Sequence, residues 1–412
     1  MKLEDGKASS LSELPEELVK VAEKVGLEKN EHRRSGSFMH LDYRSLLATV
    51  NELFEGQVEL LDIKDALRKY DWLKNYYGRL IPPEKDDYTS LAENNLHGGY
   101  FVRAMPGAKV EFPIQACLMI ARETFTQNVH NIVIAEEDSS LNVITGCITH
   151  PVVQKALHIG ITEYYVKKGA KLNFTMIHSW GRGVKVRPRS ATLIEEGGIF
   201  ISNYICLNPV DDVQMYPIAI CQNRGATARF NNIVYAKERS KLDLGAEVRL
   251  IGPESRGEIV SRIAVKDGSQ VVSRGLIVGE GRKVRGHLEC RGLLLDDEPP
   301  SPLLEALARR RLNEDAPPLK LVEVRSPEIA HPAPETAYDQ PYDAFHAPLV
   351  SDVSRNPLRN ELGIPVEPVD YVRAPHPPIP LEPHPVPLDH LPRRLVGSSE
   401  HPAEHNAISP GG

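Results

Sequence analysis

Apolar residues follow three different patterns along the chain. Up to about residue 105 they recur with a helical period. Leu18, Val21, Ala22 and Val25 stand at i, i+3, i+4 and i+7, with Pro15 where a first turn tolerates it and Gly26 as a stop. The stretch LDIKDALRKYDWLKNYYGRLIPP continues in that pattern until Pro82 and Pro83 end it, so residues 1–105 are predicted to be a mostly helical region. Its aromatics, Tyr70, Trp72, Tyr76 and Tyr77, are expected to pack against the next domain rather than to stack on bases.

From 106 to 297 the pattern changes to short runs rich in Val, Ile, Thr and Tyr, among them AKVEFPIQACLMI, HNIVIAEEDSSLNVITGCI and GEIVSRIAVKDGSQVVSRGLIV. Polar turns such as EEDSS, KKGAK, EEGG and KDGSQ divide them, which predicts strand after strand. Gly169, Gly197 and Gly225 are spaced 28 residues apart, twice in succession. That cadence suits the coils of a β-solenoid, with a jelly roll as the alternative on periodicity alone.

From 298 to 412 the chain turns proline-rich. Of its 33 prolines, 10 precede Asp297 and 23 follow Glu298. One short helix is predicted over PLLEALARRRL. The rest, including APHPPIPLEPHPVPLDHLPRRL, is expected to be largely disordered or polyproline-like, because each Pro removes a backbone donor and fixes φ.

Composition narrows the function classes. A net charge of −7 lacks the basic footprint of a general nucleic-acid binder. Cys117, Cys147, Cys206, Cys221 and Cys290 show no CxxC spacing and are odd in number, the usage of a reducing cytosol rather than of a disulfide framework. The opening MKLEDGKASSLSELPEEL has no apolar run of the signal-peptide kind, and no window approaches the ~20 apolar residues of a membrane span. A cytoplasmic chain that binds neither nucleic acid nor membrane is therefore expected.

Chemistry-bearing motifs are sparse. GxxxxGK[ST], HExxH and GxSxG are absent. Cys147 and His150 form a C-x-x-H pair with His158 further on, fewer ligands than a metal site normally needs. In HSWGRGVKVRPRS, Lys185, Arg187 and Arg189 follow at period two. They read either as a solvated edge strand guarded against aggregation or as an anion- or thiolate-stabilising wall. Cys290 is placed on the last strand, with Arg285, His287 and Glu289 alternating to the opposite face.

Five segments in order and spacing resemble the SufB/SufD family of iron–sulfur cluster assembly proteins: ALRKYDWLKNYYGRLIPPEKDDYT, GYFVRAMPGAKVEFPIQACLMIA, NIVIAEEDSSLNVITGC, MIHSWGRGVKVRPRS and GHLECRGLLLDDE. The resemblance covers roughly residues 60 to 297. It implies a mainly β fold with a right-handed parallel β-helix core, dimerisation with itself or with another SufB/SufD subunit, and docking onto a SufC-type ABC ATPase. It also implies a scaffold rather than an enzyme, carrying a transient iron–sulfur cluster. Cys290 matches the family's late-strand sulfur acceptor and candidate metal ligand, which leans the chain toward SufB. Cys147 matches the cysteine of a Gly-Cys pair on the internal sulfur route. The family's Gln-Asn-Trp triplet falls on His178, Ser179 and Trp180, so only the tryptophan is kept.

The chain departs from the family twice. Met119, Ile120 and Ala121 stand where bacterial SufB chains carry Arg-x-Asn. After Leu295 the prolines replace the family's further strands, its His-Glu-Ala segment and its ATPase-gripping helical domain. That switch reads as a shifted frame or a divergent gene end, with an uncapped β-helix edge and weak or absent ATPase binding expected. A SufD-like structural partner and a β-helix enzyme acting on polysaccharide are the alternatives.

Overall fold

A computed structural model describes residues 7–295 and the backbone of Leu303–Arg310 and Glu328–Ile329. The expectation of a disordered tail otherwise lies outside the described residues.

The chain is mainly β and winds into a parallel β-solenoid of about seven turns. One sheet stacks Gly36–Leu41, Ile114–Ile120, Ser140–Thr149, Lys171–Ser179, Ile199–Cys206, Thr227–Ala236, Arg256–Val265 and Arg285–Leu294, each parallel to the next. The facing sheet includes Tyr100–Ala104, Phe125–Ala135, Ala156–Val166, Arg189–Ile194, Lys241–Leu250 and Gln270–Gly279. Burial alternates strictly along Thr227–Ala236, Arg256–Val265 and Gln270–Gly279, so every second side chain points into the lumen between the sheets. Phe174, Phe200, Phe230, Ile259 and Leu288 fill that lumen.

The glycine cadence marks one corner of the coil. Gly169, Gly197 and Gly225 have φ of +66°, +63° and +68°, the left-handed conformation that glycine adopts without penalty. Their N–H groups donate to Glu196, Arg224 and Pro253 carbonyls, each one coil further on, at 2.8–2.9 Å. A backbone hydrogen-bond ladder therefore runs up the corner beside those of the sheets.

The first hundred residues hold the expected helix Glu16–Glu23, a second at Ile63–Lys69 and a third at Asp87–Asn94. The prediction of a mostly helical region is corrected by four strands: Gly36–Leu41, Arg44–Val50, Val58–Asp62 and Tyr100–Ala104. All six residues of Gly36–Leu41 are buried, so the strand shows no alternation to read. It pairs antiparallel with Arg44–Val50 on one side and parallel with Ile114–Ile120 on the other, closing that end of its sheet. Tyr70, Trp72, Tyr76 and Tyr77 pack on Phe101, Ile132, Ile134 and Tyr165 of the solenoid, as expected.

At the other end the structure overturns one expectation. Leu303–Arg310, read as a helix, is a strand parallel to Gln270–Gly279, and Leu293 pairs with Glu328. The solenoid continues past Leu295, but only Leu293 and Leu294 of Arg285–Leu294 gain a partner there, so among the described residues the expected open edge persists along the rest of that strand. The Leu303–Arg310 run extends an existing parallel ladder, and that tertiary opportunity overrides a helical propensity.

Candidate functional site

The inward positions form columns, because the coils stack in register. Cys147 pairs with His178, and His178 with Cys206, on three successive strands. All three face the lumen and are at most 2% exposed. Gly146 precedes Cys147 on the outer face, where a Cβ would run into the Val25 side chain. The Gly-Cys pair thus seats the N-terminal segment outside and presents a thiol inside.

The surroundings of Cys147 are aromatic and polar. Tyr100, Tyr164 and Tyr204 are buried in the same core cluster as Cys147. Tyr100, from the opposite sheet, also hydrogen-bonds Thr145 Oγ1 at 2.9 Å. Tyr204 OH lies 3.1 Å from His178 Nδ1, and Cys206 Sγ donates to the Asn208 carbonyl at 4.0 Å. The Trp180 ring packs on His158 at 4.8 Å and on His178 at 5.5 Å between centroids.

Protonation states follow from burial. Gln127 donates its amide N–H to the carbonyls of Asp42 and Met119, so its Oε1 must accept from His158 Nδ1 at 3.0 Å. His158 is therefore the Nδ1–H tautomer. Desolvation pushes the pKa of both His158 and His178 down to about 3, and both are neutral. Among the described residues, neither His178 Nε2 nor Trp180 Nε1 finds a hydrogen-bond partner, although both side chains are at most 3% exposed. An unmet buried polar atom costs about 1–3 kcal/mol, so two side by side mark a place that accepts a partner.

Cys290 lies elsewhere. It is inward-facing and 5% exposed, and its thiol approaches Ser273 Oγ at 3.4 Å. Glu289 turns outward to Arg262 and Arg291, as the alternation requires. The column containing Cys290 reads Thr145, Met176, Tyr204, Asn232, Ser261, Cys290, one residue per coil. These five steps, at ~4.8 Å each, place Cys290 about 24 Å along the lumen from Thr145. Asn232 Nδ2 donates to Ser261 Oγ at 3.0 Å, bridging one of those five steps. The structure therefore gathers Cys147, His178 and Trp180 in one cluster and sets Cys290 apart from it.

Every thiol is held in its protonated form. Burial raises Cys117 and Cys221 to about 12 and Cys206 to about 11, and raises Cys147 and Cys290 above their ordinary range. The native chain is expected to show no thiol reacting promptly with Ellman's reagent at pH 7.5, and all five after denaturation. A fast-reacting native Cys290 would show that its strand opens.

The other sequence candidates disperse. His150 turns outward, 3.0 Å from Glu17, so it does not join Cys147. The basic run is neither an edge nor an anion wall. Val184–Val186 pairs with strands on both sides, Arg187 contacts Asp212, Arg189 contacts Asp86, and both stack on Tyr88. The motifs of the sequence single out neither Cys206 nor the tyrosines. The coil cadence held the signal for Cys206, which follows His178 by the same 28 residues that separate the corner glycines.

The family described as "SUF system FeS cluster assembly, SufBD core domain" matches residues 118–301. An iron–sulfur cluster assembly SufBD family protein of Archaeoglobus fulgidus is 48% identical over 283 residues, 69% of this chain and 74% of the relative. One of Methanothermobacter thermautotrophicus (strain Winter) is 41% identical, covering 69% and 70%. The iron–sulfur cluster assembly protein SufB of Bacillus subtilis is 28% identical, covering 70% and 63%.

Proposed function

This chain belongs to the SufBD family of iron–sulfur cluster assembly proteins, and from that premise we propose that it is a SufB-like scaffold rather than an enzyme with turnover of its own. In this reading sulfur enters beside Cys147, passes along the lumen and is accepted by Cys290, where a cluster is assembled as cargo. A SufC-type ATPase and a second SufB/SufD chain, or a second copy of this one, are its partners, in the cytoplasm. Among the described residues no helix is long and apolar enough to cross a membrane.

The observation that carries the reading is the inward column from Thr145 to Cys290. Buried positions favour aliphatic side chains, yet this column holds hydroxyl, thioether, phenol, amide and thiol groups in register. Sulfur moving between thiols as a persulfide needs a path shielded from water and stray thiols, and a polarisable, hydrogen-bonding strip along the coil interior is suited to line one. Among the described residues no three His, Cys, Asp or Glu side chains are grouped to hold a metal. The reading accordingly gives Cys290 one bond to the cluster and assigns the others to a second chain.

Anaerobic reconstitution of the full chain with ferrous iron and sulfide, with and without the ATPase, tests this. A thiolate-to-iron charge-transfer band is expected, and Cys290→Ser should abolish it. No band, or a band unchanged by the substitution, removes the scaffold role. ATPase binding without iron uptake would instead indicate a SufD-like structural partner.

A further inference from the structure

We propose that one outer corner of the solenoid, running from Tyr43 through Arg122, Val152 and Lys155 to Leu207, is a docking surface for an acidic segment of a partner protein that carries an apolar side chain among its carboxylates. The inference goes beyond the sulfur-handling reading above and does not depend on it.

At this corner each coil turns from the first sheet into the facing one, in the loops 121–124, 150–155 and 180–183. The loops stack directly on one another. Thr124 N–H donates to the Lys155 carbonyl at 2.8 Å, and Glu123 accepts from the N–H groups of Gln154 and Lys155 at 2.7 and 3.1 Å. Asn208, in the next loop, donates to Ser179 Oγ at 2.8 Å. Tyr43 joins through its neighbour Asp42, whose carboxylate accepts from the N–H groups of Ala121 and Arg122 at 2.8 and 3.2 Å. The corner is thus a continuous hydrogen-bonded ridge rather than a set of independent loops.

Three observations give the ridge its chemistry. The first is charge. Lys24, Arg122 and Lys155 are exposed and, among the described residues, make no ion pair. The carboxylates nearby are already engaged: Glu123 and Asp42 with backbone N–H groups, Glu17 with His150, and Glu238 with Arg182. In a chain of net charge −7 these free cations create a local field of the opposite sign. The second is apolar surface. Tyr43, Val152 and Leu207 are 50%, 66% and 46% exposed. Scattered singly they would need no explanation, but they follow one another along one ridge with cations between them. Arg122 lies over the rings of Tyr43 and Phe125, at 5.6 and 5.5 Å, which holds its guanidinium at the surface in advance. The third is shape. A cleft of about 590 Å³ opens beside the ridge, with Val21, Lys24, Val153, Lys155 and Arg182 in its wall and, among the described residues, no Asp or Glu. That volume is in the range of ordinary ligand pockets, so it takes the apolar side chain while the ridge takes the carboxylates. A protein segment fits better than a nucleic acid. Three free cations are few for a phosphate backbone, and Val152 and Leu207 offer it nothing.

Fluorescence anisotropy on the full chain tests this with three labelled probes: a short peptide of Asp and Glu interrupted by two leucines, the same peptide with serine for leucine, and a single-stranded RNA of equal charge. The leucine peptide is expected to bind more tightly than the other two, and more weakly as salt is raised. Arg122→Glu and Lys155→Glu should each weaken it about tenfold or more, because a like charge then faces the ligand. Lys168→Glu makes the same change in net charge at a different corner and should leave binding unchanged. Val152→Ser should erase the preference for leucine over serine. All four positions are exposed, so the substitutions leave the core intact. An equal loss in Lys168→Glu would reduce the effect to net charge. RNA bound as tightly as the leucine peptide would make the ridge a general polyanion surface. A leucine peptide that does not bind, or that ignores both charge reversals, would leave no docking surface. Each of these three results overturns the proposal. The probes contain neither sulfur nor iron, so this outcome and that of cluster reconstitution are read separately.

Discussion

Acidification from pH 7 to pH 5 is expected to cost the fold about 6 kcal/mol, a large share of the 5–15 kcal/mol that domains ordinarily have. The cause is three buried imidazoles. His40, His158 and His178 are all at most 2% exposed, and desolvation holds each near a pKa of about 3. In the unfolded chain the same groups titrate near 6.5. Because the folded pKa lies below the unfolded one, the unfolded state takes up protons first as pH falls. The contribution is complete above about 6.5 and declines toward 3, at about 1.4 kcal/mol per pH unit for each histidine. Asp42, whose burial raises its pKa, acts in the opposite sense, nearer the ordinary carboxylate range. Urea midpoints at pH 7, 6 and 5 measure the effect. His158→Gln should flatten the pH dependence by about a third, since each of the three groups contributes equally in this window. A midpoint unchanged between pH 7 and pH 5 would mean that the histidines gain water in the native state.

The same burial explains what the sequence showed and what it hid. The solenoid was legible because Gly169, Gly197 and Gly225 repeat at a corner that requires positive φ. Further along that corner stand Asp138, Glu254 and Lys283, with φ of +55°, +61° and +56°. There the cadence disappears from the sequence while the geometry continues, held by the ladder of corner hydrogen bonds. The Gly36–Leu41 strand was illegible for a different reason: covered on both faces, it has no period to detect.

For the site, in-register contacts were readable in principle and cross-lumen contacts were not. Cys147, His178 and Cys206 follow from coil arithmetic. The approach of Tyr100 and Tyr164 from the opposite sheet depends on how two sheets face each other, which no spacing along the chain records. The same holds for Arg189, whose partner Asp86 lies 103 residues away in sequence. A period-two run of cations looks identical whether it is solvated or paired, and only the distant carboxylates decide between the two.

Blocking the lumen at Ser261 is expected to stop labelled sulfur from reaching Cys290, which tests the proposed route most directly. Ser261 sits in register between Asn232 and Cys290, is 3% exposed and accepts a hydrogen bond from Asn232. Ser261→Leu places a branched aliphatic side chain across the column, at an overpacking cost of about 1–3 kcal/mol that leaves the chain folded at pH 7. It also strands the Asn232 amide, a further 1–3 kcal/mol or so. Ser261→Ala removes the same hydrogen bond without filling the space, and so separates loss of polarity from obstruction. After exposure to isotopically labelled glutathione persulfide, peptide mass spectrometry should find label at both Cys147 and Cys290 in the parent chain and in Ser261→Ala. In Ser261→Leu it should find label at Cys147 alone. Label arriving undiminished at Cys290 in the leucine variant would show that this thiol is supplied from the open end of the coil. The column of polar residues would then be a packing feature, and the route would run outside the solenoid.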